Sequence, residues 1–110
     1  MRKVGIIRCQ LTEGACAGTA DLRALEEGRC AFSKYGKSIL IGIVSCGGCP
    51  GEQAGSRAKM LIEQGADLIA LTTCITRDNT KKKACVNASR IEQLVKENIS
   101  EEIDFMDYTH

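Results

Sequence analysis

The chain of 110 residues contains no tryptophan, two tyrosines, two phenylalanines, one proline and one histidine. So few aromatic side chains leave no platform on which nucleic-acid bases could stack. The net charge is +1, and apart from Lys81–Lys83 the basic residues are dispersed, so the basic surface that nucleic acids require is missing too. We therefore expect no nucleic-acid partner. Lys81–Lys83 are expected to form a solvated surface, with an anionic ligand as the minor alternative.

Long apolar stretches are also lacking. No apolar run approaches the eighteen or so residues of a membrane span, and the first ten residues lack a signal-peptide pattern. We therefore expect no membrane partner and a cytoplasmic location. The length suits one domain over residues 1–110, and the charged fraction of 26% is ordinary for a folded protein.

Cysteine, by contrast, is abundant. In a reducing compartment a high cysteine count indicates metal binding or thiol catalysis more often than a disulfide framework. Cys30 is the exception: we expect it to be a small buried apolar residue, with participation in a site as the alternative. The chain has seven cysteines: Cys9, Cys16, Cys30, Cys46, Cys49, Cys74 and Cys85.

The sequence Cys46-Gly47-Gly48-Cys49 follows an unbroken apolar run over residues 39–44, which is typical of a buried strand. A helical pattern follows it, and Pro50 suits the first position of a helix because it has no N–H to leave unpaired. The motif is therefore predicted to join a strand to a helix, where the positive end of the helix dipole favours thiolates. Such a pair can bind a metal or undergo redox exchange.

Hydrophobic patterning predicts four strands, over residues 2–8, 39–44, 66–72 and 103–108, the last at an edge. Helices are predicted between them: one capped by Thr19 or Asp21 and ended by Gly28, one over residues 50–64 with Arg57 on its solvent side, and one starting near Cys85. This alternation predicts a single three-layer α/β domain with a mostly parallel sheet of about four strands, flavodoxin-like or Rossmann-like.

The predicted topology gathers the thiols. Right-handed crossovers bring the carboxyl ends of parallel strands to one edge, where open α/β sheets bind ligands. A cysteine ends each of the first three strands, and the chain's histidine follows the fourth. Cys16, Cys49 and Cys85 are predicted to lie on the segments that leave the same edge. We therefore predict a site there, with these candidate metal ligands: Cys9, Cys46, Cys49, Cys74, Cys85, Cys16 and His110.

The chain resembles the CGGC domain family over nearly its whole length. The resemblance rests on residues 5–10, on Cys46–Gly51, on residues 65–67 leading to the turn at Cys74, and on residues 108–110. It implies a metal-binding domain, with zinc as the expected ion. Other members tend to carry Pro-His after the cysteine equivalent to Cys85, whereas this chain has Val86 and Asn87, which leaves His110 as the one nitrogen ligand.

Three classes of function follow. Thiolates suit tetrahedral zinc and equally suit an iron–sulfur cluster, so metal binding is the first. The second is a thiol redox enzyme in which Cys46 is the nucleophile and Cys49 the resolving thiol. A thioredoxin-type version is disfavoured because that fold places a cis-proline opposite its Cys-x-x-Cys motif. The one proline of this chain, Pro50, instead adjoins the motif. A structural or partner-binding role is the third.

Overall fold

The computed structural model of the chain describes residues 2–10, 17–76 and 86–109, and only the backbone of Cys74 and Thr76. Three predicted ligands, Cys16, Cys85 and His110, lie outside the described residues, as do Lys81–Lys83.

The sheet has four strands that are all parallel, in the order β2-β1-β3-β4. This arrangement confirms the predicted α/β class and the predicted edge position of the last strand. The direction of strand order reverses between β1 and β3, so the crevice where such folds bind ligands lies beyond the carboxyl ends of those two strands. The strands are β1 Arg2–Arg8, β2 Ser38–Ser45, β3 Leu68–Leu71 and β4 Asp104–Met106.

Helices cover both faces of the sheet. One core cluster combines Ile7 and Ile69 of the sheet with Leu61 and Ile91 of two helices. The other combines strand residues with Leu25 and with Phe32, which is fully buried. The domain thus has the three layers that the sequence predicts. Its helices are α1 Thr19–Glu27, α2 Ala54–Glu63, α3 Thr73–Thr76 and α4 Ala88–Glu97, with a 3-10 turn at Cys30–Lys34.

Helix α2 packs directly on the sheet because two strands carry glycine beneath it. A Cβ atom placed on Gly5 would lie 2.9 Å from the Leu61 side chain, and one on Gly42 would lie 3.0 Å from it. The two glycines are partners in the β1–β2 register. Their missing side chains make the space that Leu61 fills, which brings the start of α2 close to the carboxyl edge of the same strands.

Several predicted boundaries are wrong. The helix predicted from Pro50 begins at Ala54, because Pro50 lies in a turn that the Gly51 N–H closes by donating to the Gly48 carbonyl. The N-cap of α1 is Gly18 rather than Thr19 or Asp21. Cys74 lies in α3 instead of ending β3, since β3 stops at Leu71. A helix of four residues is too short to show a periodic pattern in a sequence.

An ion-pair network links the amino ends of the parallel strands, which form the amino edge of the sheet. Arg2 pairs with the carboxylates of Asp67 and Asp104, and the backbone N–H of Lys3 donates to Asp67 Oδ1 at 3.0 Å. The Arg2 guanidinium also lies 5.2 Å from the centre of the Tyr35 ring. These contacts join β1, β3 and β4 at the end opposite the predicted site.

Candidate metal centre

Cys9 and Cys46 lie side by side where β1 and β2 end. Arg8 and Ser45 are the last partners in the β1–β2 register, so the two cysteines are the next residues on neighbouring strands. The Cys46 N–H donates to the Arg8 carbonyl at 2.8 Å, which continues the pairing by one step. Both side chains are buried, 6% and 4% exposed, and belong to the same core cluster beneath α2 and α4.

The turn after Cys46 depends on its glycines. Gly47, Gly48 and Gly51 have φ values of 85°, 94° and 86°, in the left-handed region that disfavours side chains. The Gly51 N–H donates to the Gly48 carbonyl at 2.7 Å, which closes the turn around Cys49. Cys49 is exposed, so the two thiols of the motif occupy different environments: Cys46 in the core and Cys49 at the surface.

Arg57 of α2 supports this turn. Its Nη1 donates to the carbonyl and to the hydroxyl of Ser45, both at 3.1 Å, and its Nη2 donates to Gln53 Oε1 at 3.0 Å. Ser45 Oγ also accepts the Gly47 N–H at 3.2 Å. The prediction that Arg57 faces solvent is wrong, because its half-buried side chain reaches back to the strand end.

The third strand contributes backbone to the same edge. The Thr72 N–H donates to the Ile7 carbonyl at 3.0 Å, so the segment that leads to Cys74 starts beside β1. Thr73 and Thr109 are joined by three hydrogen bonds: Thr109 N–H to Thr73 Oγ1 at 3.1 Å, Thr73 N–H to Thr109 Oγ1 at 3.4 Å, and a bond between the two hydroxyls at 3.4 Å. The end of the described chain is therefore fixed next to the residue that precedes Cys74.

A buried carboxylate holds this junction. Asp21, which is 4% exposed, accepts a short hydrogen bond from the Thr109 hydroxyl, and Thr109 is fully buried. The Ala31 N–H donates to the Thr109 carbonyl at 3.4 Å. Asp21 therefore fixes the chain end to α1, a different role from the predicted helix cap.

The structure brings some predicted ligands together and not others. Cys9 and Cys46 adjoin, but among residues 2–10, 17–76 and 86–109 no three His, Cys, Asp or Glu side chains form a group that could hold a metal ion. Cys49 is thus no third member of such a group. Cys30 corrects another expectation: it is exposed, with φ of 54°, at the start of the 3-10 turn.

The donor chemistry of the adjoining pair fits a thiophilic metal. Two thiols in a water-poor setting are soft ligands of the type that zinc and iron–sulfur clusters use. Zn–S bonds of about 2.3 Å separate two sulfurs of a tetrahedral site by roughly 3.8 Å. Neighbouring strands lie about 4.8 Å apart, so thiols at matched positions can span that separation with small side-chain rotations. Such a pair supplies two of the four ligands.

Sequence reasoning missed the residues that support the turn. Arg57 and Gln53 lie on the segment whose helix start was misplaced, and a Cβ on Gly47 would lie 3.0 Å from Gln53 and 3.3 Å from Arg57 Cζ. Gln10 lies against Gly48 in the same way, because a Cβ atom placed on Gly48 would be 2.6 Å from Gln10 Oε1. The positive φ of both glycines was foreseeable from the Gly-Gly pair, but the identity of the residues above them was not.

A known family profile covers nearly the whole chain. The sequence profile of the CGGC domain matches residues 3–110. The chain belongs to the CGGC domain family. It is also 36% identical over 78 residues to an uncharacterized protein of Methanocaldococcus jannaschii, an alignment that covers 66% of this chain and 61% of that protein. The chain thus spans less than two thirds of that relative's length.

Two further comparisons are negative. No solved structure matches the chain. Within the part of the chain that the structure describes, no helix has both the length and the apolar character to cross a bilayer.

Proposed function

We propose that this CGGC domain is a zinc-binding protein of the reducing cytoplasm, and that the thiolates of Cys9 and Cys46 form the base of its site. One observation carries the proposal: two buried cysteines occupy matched positions on adjacent parallel strands, at the edge where such sheets bind ligands. Packing alone gives no reason for two thiols there, since apolar residues fill the rest of that cluster.

The other ligands would come from the remaining candidates that the sequence predicts. Cys49 follows Cys46 within the same turn, and Cys74 belongs to the short helix after β3. Cys85, Cys16 and His110 are the further candidates, and an iron–sulfur cluster held by the same thiols is the alternative cofactor. When bound, zinc would cross-link β1 and β2 and act as a Lewis acid if one coordination position stays open.

Serine substitution tests the proposal. We expect Cys9→Ser and Cys46→Ser each to abolish stoichiometric zinc in protein purified without oxygen, and to remove the stabilisation that metal binding gives the wild type. Elemental analysis measures the metal, the visible spectrum distinguishes a cluster from zinc, and thermal melts with and without a chelator measure the linkage. The matched control is Cys30→Ser, an exposed thiol at the start of the 3-10 turn that belongs to no potential metal-holding group of described residues.

Full zinc occupancy in both Cys9→Ser and Cys46→Ser would contradict the proposal. So would an equal loss in Cys30→Ser, because that result would indicate nonspecific binding by thiols.

The exposure of Cys49 supports a second candidate function, thiol–disulfide exchange. In this version Cys49 is the nucleophile and Cys46 the resolving thiol, the reverse of the roles that the sequence predicts. Cys49 is the accessible thiol and Cys46 is buried, so the attacking thiolate would be Cys49. It would attack one sulfur of a substrate disulfide and release the first substrate thiolate. Cys46 would then attack the Cys49 sulfur and release the second thiolate, leaving a Cys46–Cys49 disulfide and a substrate reduced by two electrons.

The same variants separate the two candidates. If the protein catalyses thiol–disulfide exchange, Cys46→Ser should trap a mixed disulfide on Cys49, which mass spectrometry detects after incubation with glutathione disulfide. The same variant should then keep its metal content and melting temperature unchanged. For metal binding, Cys46→Ser loses zinc and stability together. We expect the metal result.

A further inference from the structure

We propose that Arg57 is a positioning residue of the thiol site, which holds the turn after Ser45 in the shape that keeps the Cys46 thiol in place for a metal. The inference rests on the proposed function for the identity of the ligand, zinc. That Arg57 fixes the shape of the turn does not depend on zinc binding.

The geometry of the guanidinium carries the proposal. Arg57 donates to the carbonyl and the hydroxyl of Ser45, the residue before Cys46, and to Gln53, which lies beyond Cys49. It therefore joins the segment before the motif to the segment after it. A planar guanidinium presents its donors in a fixed fork, so these bonds fix direction as well as distance.

The bonds of Arg57 reach into the turn through Ser45. The Ser45 hydroxyl that accepts from Arg57 also accepts the Gly47 N–H, at 3.2 Å. Gly47 is left-handed, with φ of 85°, and a side chain there would meet Gln53 and Arg57. Since glycine has the widest backbone freedom, a turn with two adjacent glycines needs external contacts to keep one shape. Arg57 and Gln53 supply such contacts from α2 and the residue that precedes it.

The charge of Arg57 is compatible with this role. Its three described partners are neutral groups, and within the described ranges no carboxylate lies within 4.0 Å of it. Zinc held by three or four thiolates carries a net charge of about −1 or −2. A cation beside the turn that none of the described carboxylates neutralises would offset part of that charge, whereas a carboxylate would oppose it.

Three variants test the proposal: Arg57→Gln, Arg57→Lys and the control Lys59→Gln. Lys59 is exposed on the same helix, so its replacement removes one positive charge from α2 and none of the hydrogen bonds that Arg57 makes with Ser45 and Gln53. Outer-shell partners of metal ligands typically contribute 10–100-fold in affinity. We expect Arg57→Gln to weaken zinc binding about 10-fold in chelator competition. Arg57→Lys should weaken it at least about 3-fold, which is half of that effect on a logarithmic scale, and Lys59→Gln less than about 2-fold.

A second measurement does not require metal. Backbone order parameters of the reduced, zinc-free full chain should fall at Gly47 and Gly48 in both Arg57 variants, from the rigid value near 0.85 toward 0.6, and stay unchanged in Lys59→Gln. A merely structural role would lower the melting temperature and leave both the zinc affinity and these two amides unchanged.

The outcomes are separable. Wild-type zinc affinity in Arg57→Lys would overturn the proposal, because charge without the fork would then suffice. Rigid glycine amides in Arg57→Gln would overturn it as well. If the wild type binds no zinc, the proposed function fails, while the order parameters still decide whether Arg57 holds the turn.

Discussion

The two edges of the sheet each contain an arginine, and the two arginines are bound in opposite ways. At the amino edge Arg2 is neutralised by Asp67 and Asp104. At the carboxyl edge Arg57 is bound by a carbonyl, a hydroxyl and an amide oxygen, all uncharged. Both arginines join segments that are distant in sequence, but only the second keeps its charge uncompensated by described carboxylates.

This difference fits the proposal that the carboxyl edge binds a ligand, whereas the ion pairs of the amino edge hold strands together. At the amino edge, ion pairs with two carboxylates neutralise Arg2. The carboxyl edge combines buried thiols, a turn of left-handed glycines and a cation with neutral partners. The following predictions test whether the two edges differ as this comparison requires, from the largest expected effect to the smallest.

Gly51→Ala should be the most destabilising change. A Cβ on Gly51 would lie 2.5 Å from the Ile91 side chain, and the residue has φ of 86°. Left-handed strain of about 1–2 kcal/mol and overpacking of about 1–3 kcal/mol predict a loss of roughly 3 kcal/mol. Urea unfolding measures it. Gly36→Ala is the control near the amino edge: φ is 73°, but no atom lies within 4 Å of the added Cβ, so about 1 kcal/mol is expected. Equal losses would refute the packing argument.

Thr109→Val should cost about 1–3 kcal/mol, because it removes a donor to the buried Asp21 carboxylate and the partner of Thr73. We also expect weaker zinc binding, since the junction lies next to Cys74.

The control is Ser38→Ala at the amino edge, where a buried hydroxyl donates to the Gly36 carbonyl at 3.4 Å. That variant should lose less than about 1 kcal/mol and keep its zinc affinity. Chemical denaturation and chelator competition give both quantities, and a zinc defect in the control would contradict the separation of the two edges.

Arg2→Met should have the smallest effect. The Arg2 side chain is 30% exposed and its partners 40% and 45% exposed, so the ion pairs are partly screened and contribute about 1 kcal/mol. The loss relative to wild type should shrink in 1 M salt, where charges are screened within about 3 Å. Zinc affinity should remain at the wild-type value. A change in zinc affinity as large as that of Arg57→Gln would mean that the two edges are not independent.

The fold was predictable because its strands are short apolar runs separated by clear breaks. β1 over Arg2–Arg8 and the stop of α1 at Gly28 follow directly from the pattern. The burial of Ala54, Ala58 and Leu61 on α2 follows from it too. The start of α2 did not, because a proline suits the first turn of a helix and a tight turn equally well, and only tertiary contacts decide between them.

For the candidate residues, the sequence predicted which strand ends carry Cys9 and Cys46 but not the contacts around them. One cysteine after each of the first two strands leads to the adjoining pair Cys9 and Cys46, since parallel topology fixes which ends meet. The exposure of Cys49 depends on the path of a four-residue turn, which no periodicity encodes. Arg57 and Asp21 were assigned from helical position alone, whereas long-range hydrogen bonds determine what they do.

The edge position of β2 bears on how the site would open. β2 is hydrogen-bonded to β1 on one side, so the strand that leads into Cys46 can separate by breaking a single ladder. Local opening of that kind costs less free energy than global unfolding and governs amide exchange. A metal held between Cys9 and Cys46 would have to be released before the end of this ladder could separate. Metal dissociation and fraying of β2 would then be one kinetic event, and the rate of metal transfer to another molecule would be set by the strand as much as by the thiolates.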